Sequence, residues 1–126
     1  VWRGSLLTVD SVPLLTNQQA LPVVISMTCL NNLFNDPRAA SLGESLLLWE
    51  RGGAVAVWAS SAQTLAGSQE SVNQEVIRQL FISSGGFKGS QRLTIGEAIL
   101  RAKAITSDAA VIKSWVLLGD PLLRLR

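Results

Sequence analysis

"VVISMTCLNNLF", residues 23–34, decides how this chain folds. Val23, Val24 and Ile25 form a short β-branched run without polar alternation. That is the pattern of a strand covered on both faces, as inside a parallel sheet. The run ends at Met27, Thr28 and Cys29, the one cysteine of the chain, and polar Asn31 and Asn32 follow at once. Leu21-Pro22 precedes the strand. "NDP" (35–37) signals a turn after it, with Pro37 suited to a helix start.

Working outward, "SLGESLLLWERGG" (41–53) reads as a helix. Ser41 and Glu44 have capping-box spacing, and Leu42, Leu46 and Trp49 fall on one face. Gly52 and Gly53 end it, because glycine takes the left-handed conformation cheaply. "AVAVWAS" (54–60) is a second buried strand, followed by polar "SAQTLAGS". "SQESVNQEVIRQLF" (68–81) predicts a second helix, with Ser68 as cap and Val72, Val76, Ile77 and Leu80 on its apolar face. "SSGGFKGSQR" (83–92) is a loop; Gly85, Gly86 and Gly89 have neither dinucleotide nor Walker spacing. "TIGEAILRAKAI" (94–105) is a third helix, capped by Thr94 with Glu97 at the third position. Residues 109–117 read as mixed helix and strand, "GDP" (119–121) as a turn and 122–125 as a short strand.

This order, β-α-β-α-loop-α-turn-β, gives an α/β chain with a parallel sheet, flanking helices and right-handed crossovers. Two or three strands make a thin sheet against the usual 5 to 6 or so. The expectation is therefore one partial domain over residues 1–126, with further strands before Val1. The mean hydropathy of +0.31 agrees, being high for an isolated soluble domain.

Composition excludes several functions. The 11 basic and 9 acidic residues are scattered and give a net charge of only +2, with no basic stripe interleaved with aromatics, which argues against nucleic-acid binding. One cysteine and no histidine cannot assemble a zinc site. No metal or other cofactor is expected. The longest nearly uncharged stretch, 11–35, is broken by Pro13, Asn17, Gln18, Gln19 and Pro22, so no membrane span is expected. The opening residues show no signal-peptide pattern.

Cys29 admits two readings. Ligands of open α/β sheets bind outside the carboxyl ends of the strands. Cys29 sits at one such end and Ser60-Ser61 at the next, bringing a thiol, two hydroxyls and loop amides to one rim. A thiol leaving a buried strand into a polar loop is partly exposed, as a reactive thiol must be. Against this, free cysteine often behaves as a small buried hydrophobe. A nucleophile here would also lack a histidine base. On the residues alone both readings stand.

Four segments change the balance: "LTNQQALPVVISMTCLNNLFNDP", "SLGESLLLWERGGAVAVWASSAQT", "TIGEAILRAKA" and "WVLLGDPLLRL". In this order and spacing they resemble the C-terminal half of a gingipain-type cysteine peptidase domain, whose fold is caspase-like. The opening "VWRG" also resembles the residues just after that family's catalytic His-Gly pair. The resemblance implies a cysteine endopeptidase with Cys29 as nucleophile and the histidine just upstream of Val1. It assigns the oxyanion donors to the Cys29 amide and to the glycine after that histidine. It implies a peptide or protein substrate, the N-terminal half of the same domain as partner, and a secreted or cell-surface location.

Family S1 pockets draw on the residues before the cysteine and on the loop after the following strand. Here those positions are Met27, Trp58, Ser60, Ser61, Gln63 and Thr64. For Met27 and Trp58, core packing is the competing explanation; Gln63 and Thr64 lie in the loop. Specificity for Arg or Lys does not carry over, because the acidic residue that reads such a side chain lies upstream. Two other functions remain open at this point. One is a catalytically inactive caspase-like scaffold in protein secretion or interaction; the other is an α/β binding domain with an inert cysteine. Helix capping accounts for Glu44, and core packing for Trp49 and Trp115.

Overall fold

The computed structural model describes residues 6–82 and 92–125. The "VWRG" segment and Gly85, Gly86 and Gly89 lie outside the described residues. The chain divides into two compact units. The first runs up to Gln63 and includes Ser114–Gly119; the second holds Thr64–Lys113 and the residues from Asp120.

The first unit is built on a three-stranded sheet in the order β1-β2-β3. β1 is Val23–Ser26, β2 is Ala56–Ser60 and β3 is Trp115–Gly119. β2 is central and buried at every residue, as its apolar sequence predicts. β1 runs parallel to it, with Val24 beside Val57 and Ser26 beside Ala59. The parallel βαβ unit passes through helix α1, Leu42–Leu48, which packs on the sheet.

Three expectations need correction here. β1 is not covered on both faces: Val23, Val24 and Ile25 are only half-buried, because β1 pairs with β2 on one side and is an edge among the described residues. β3 runs antiparallel to β2, so the sheet is mixed and not all-parallel. The reason is a contact between residues 53 apart in the chain. The Ser114 carbonyl accepts the Ser61 N–H at 2.8 Å, so the chain enters β3 at the carboxyl end of β2 and must run back down it. Finally, residues 122–125 form no strand. Their turn does form, with the Leu123 N–H donating to Asp120 O. The carbonyls of Pro121 and Leu123 then accept from the amides of Gly96 and Ile95, serving a helix start instead of a sheet.

Ser41 caps α1 as its sequence predicts. The Ser41 hydroxyl accepts the Glu44 amide at 3.2 Å, and the Glu44 carboxylate accepts the Ser41 amide at 2.8 Å. Gly53 follows with φ +93°, and a Cβ there would stand 2.0 Å from Leu46 O, so no other residue fits. Asn17 clasps this turn: its Oδ1 accepts the Gly53 N–H and its Nδ2 donates to the Gly53 carbonyl. One face of the sheet joins Val57 and Ala59 to Leu42, Leu46, Ala54 and Val12, the last from a 3-10 turn over Val9–Leu14. On the other face, Trp58 packs on Trp115 with ring centroids 5.5 Å apart.

The second unit is helical. It contains α2 (Ala66–Ile77), a π turn (Arg78–Ile82), α3 (Ile95–Ile105) and all but the last residue of α4 (Ala109–Ser114). The Thr94–Glu97 capping box forms as predicted. α2 starts two residues before the expected cap, so Ser68 lies within its first turn. Val72, Val76 and Leu80 are buried, but Ile77 is 44% exposed, off the apolar stripe.

At the end of α2, the Arg78 guanidinium donates to both Glu75 carboxylate oxygens at 2.7 and 2.5 Å, and Gln79 Nε2 adds a third bond. These donors lower the Glu75 pKa from 4.5 to about 2. A depressed carboxyl adds stability that is complete above its unfolded value and is lost as pH falls through its folded one. This support therefore fades between pH 4.5 and about 2. Arg78→Ala is expected to move the Glu75 midpoint, read from its side-chain carboxyl carbon by NMR, upward toward 4.5. An unmoved midpoint would refute the assignment to Arg78.

Candidate active site

The site grows from the exit of β1. Ser26, the last strand residue, sits beside Ala59 in the ladder. Six residues later the Asn32 amide donates to Ser60 O at 3.1 Å. The chain thus leaves the carboxyl end of the sheet and returns to it, and Cys29 is the midpoint of that loop. Met27 is 48% exposed and Cys29 is half-buried, neither sealed in the core nor stripped of surroundings.

Two asparagines fix the loop. Asn31 is 3% exposed, and its Nδ2 donates to Ser26 Oγ at 2.5 Å and to Thr28 Oγ1. Its carbonyl accepts the Gly43 amide of α1 at 2.8 Å. Asn32 is fully buried, with Nδ2 3.1 Å from the Val116 carbonyl of β3 and within 3.5 Å of the Val57 and Ala59 carbonyls of β2. Its Oδ1 faces Gly43, where a Cβ would stand 1.8 Å away. Between Cys29 and Asn31, Leu30 holds φ +67°, uncommon for a residue with a side chain. Buried polar groups of this kind specify one loop geometry, because each bond lost in a low-dielectric interior is costly.

The other predicted site residues fall into different settings. Trp58 is 1% exposed and is a core residue packed on Trp115. Ser60 is fully buried: its hydroxyl donates to Ala62 O at 2.7 Å and lies 3.3 Å from Ser114 Oγ. Ser61 is half-buried, and its hydroxyl donates to Ser114 O at 2.9 Å. Both hydroxyls therefore brace the junction of β2 and β3. Gln63 is exposed. Thr64 belongs to the second unit, where Gln69 Nε2 donates to its carbonyl and hydroxyl oxygens.

Sequence reasoning missed Asn31, Asn32 and Gly43 as the frame of the Cys29 loop. A signal was present: two amides directly after an apolar strand, and a glycine inside a helix that would favour alanine. Next to the loop lies a cleft of about 200 Å³ bordered by Leu30, Asn31, Asp36 and Ser41. The hydrogen bonds from Arg38 hold the Asp36 carboxyl below its ordinary value.

Among curated proteins no sequence matches the chain. Two solved structures share its fold. One is the crystal structure of the Arg-specific cysteine proteinase gingipain R (RgpB). It is 21% identical, with a TM-score of 0.82 over 100% of this chain and 31% of that one. The other is the complex of Porphyromonas gingivalis RgpB pro- and mature domains. It is 23% identical, with a TM-score of 0.75 over 94% of this chain and 29% of that one. The chain thus spans about a third of the length of either structure's chain. These likenesses bear out the α/β, caspase-like fold. The model of peptidase family C25 matches residues 1–126, the whole length. The chain belongs to peptidase family C25.

Proposed function

We propose that this chain is the nucleophile-bearing part of a cysteine endopeptidase and that Cys29 is the attacking thiol. The observation that carries the reading is the half-buried cysteine at the midpoint of a braced loop, outside the carboxyl end of a parallel strand pair. That is where α/β sheets bind ligands.

In the reaction, the Cys29 thiolate adds to the scissile carbonyl carbon. A C–S bond forms and the carbonyl oxygen takes the negative charge. Backbone N–H donors stabilise that oxygen; the Cys29 amide is one of them. Collapse of the adduct expels the amine, which needs a proton, and leaves a thioester. Water then hydrolyses the thioester and regenerates the thiol. The proton donor is a histidine, and the chain contains none. The parent protein supplies it, together with the second oxyanion donor.

Substrate contacts from the first unit fall to Met27 and Gln63, which present surface, with half-buried Ser61 two residues before Gln63. The buried Trp58 and Ser60 shape the strand that carries the rim. The substrate is a peptide or protein, and the parent is secreted or surface-bound. Among the described residues no helix is long and apolar enough to cross a membrane.

Labelling tests the reading. A peptidyl acyloxymethyl ketone is expected to modify the full-length protein at Cys29, with the adduct located by peptide mass spectrometry. If the folded protein stays unlabelled, or reacts no faster than a buried thiol does, the proposal fails.

A further inference from the structure

We propose that Asn31 is a positioning residue for the Cys29 thiol, acting through the loop and not on the substrate. The proposal rests on Cys29 being the nucleophile. Asn31 reaches both sides of the residue it serves. Its Nδ2 carries two hydrogens, one for each of two oxygens. One oxygen is Ser26 Oγ at the end of β1; the other is Thr28 Oγ1, immediately before Cys29. Those two hydroxyl oxygens are 3.2 Å apart, so the three polar groups close a ring beneath the loop.

On the far side, Gly43 N–H holds the Asn31 carbonyl, fixing the loop to α1. The residue in between, Leu30, is kept in the left-handed region at φ +67°. A side chain stays there only where its surroundings over-determine the backbone. Cys29 is thus suspended between two fixed points, Thr28 and Asn31, joined by one buried amide. Releasing that amide lets the short segment relax toward ordinary backbone angles and carries the thiol with it.

The test uses the full-length protein, with active sites counted by titration with a peptidyl acyloxymethyl ketone. A misplacement of about 1 Å costs on the order of 100-fold in rate, so Asn31→Ala is expected to lower kcat per titrated site by about 30- to 100-fold. KM is expected to stay within about twofold, because the mutation removes no contact with substrate. Thr28→Val keeps the side-chain shape and deletes one acceptor; the loss of one such bond predicts a fall of about fivefold. The double variant should lose less than the two single losses combined, since both remove the Asn31–Thr28 bond. Asn31→Asp, whose carboxylate can accept from both hydroxyls, should recover part of the rate.

An Asn31→Ala kcat per titrated site within threefold or so of wild type overturns the proposal, because the predicted loss is about ten times larger. If that variant does not accumulate as folded protein, an unchanged kcat in Thr28→Val overturns it instead. The nucleophile reading fails separately, through activity retained in Cys29→Ala. An inactive Cys29→Ala together with a fully active Asn31→Ala removes only the positioning role.

Discussion

Replacing Cys29 by alanine in the full-length protein is expected to lower kcat by at least about 10⁴-fold, since removing a nucleophile that acts as one unit with its acid leaves only residual binding effects. Cys29→Ser should be nearly as inactive, because a hydroxyl is a far weaker nucleophile without a strong base. The substitution is a fair test, since a half-buried thiol traded for a methyl group perturbs packing little. The 126-residue chain by itself is expected to show little or no turnover, because it holds no histidine to protonate the leaving amine. Peptide hydrolysis at saturating substrate, normalised to folded protein, measures both. Wild-type turnover by Cys29→Ala would end the proposed mechanism, and strong turnover by the 126-residue chain would show that no histidine is needed.

Features of this fold are legible in the sequence or hidden from it according to their range along the chain. The capping boxes of α1 and α3 are legible because Ser41 with Glu44, and Thr94 with Glu97, meet within one helical turn. The all-buried character of β2 is legible because a central strand needs apolar residues on both faces. The direction of β3 is not legible. It rests on long-range pairing, such as that of Ser61 with Ser114, residues 53 apart in the chain. The half-exposure of β1 has the same origin, since its apolar residues cannot tell how many neighbours the strand will have.

The candidate site divides in the same way. Cys29 can be picked out because it is unique and closes an apolar run. The geometry of its loop cannot, because Asn32 bonds to Val57, Ala59 and Val116 across 25 to 84 residues. Trp58 and Ser60 present the converse case. Their chain positions match a binding rim, yet β2 is the central strand and is covered on both faces, so both side chains are buried.

Gly43→Ala is expected to destabilise the protein by about 2–4 kcal/mol, against the sign that helix propensity alone predicts, because alanine is normally favoured over glycine inside a helix by about 1 kcal/mol. The new Cβ would stand 1.8 Å from Asn32 Oδ1, 2.9 Å from Asn32 Cγ and 3.2 Å from Asn31 O. Asn32 has nowhere to withdraw. It is fully buried, and its Nδ2 is committed to carbonyls of β2 and β3. Either the amide turns away and leaves those carbonyls without their donor, or α1 lifts and exposes Leu42 and Leu46. Overpacking costs about 1–3 kcal/mol and a stranded buried polar group about the same, so together they outweigh the propensity gain. The distortion also reaches the loop, since the Gly43 amide holds the Asn31 carbonyl two residues after Cys29. Denaturant unfolding of the full-length protein reads the cost. A double variant with Asn32→Ala isolates its cause, because removing the amide makes room for the methyl group. The pair should then be less destabilised than the sum of the two single changes. A Gly43→Ala protein as stable as wild type would mean that α1 does not press on the asparagine pair, and the braced loop that presents the thiol would lose its foundation.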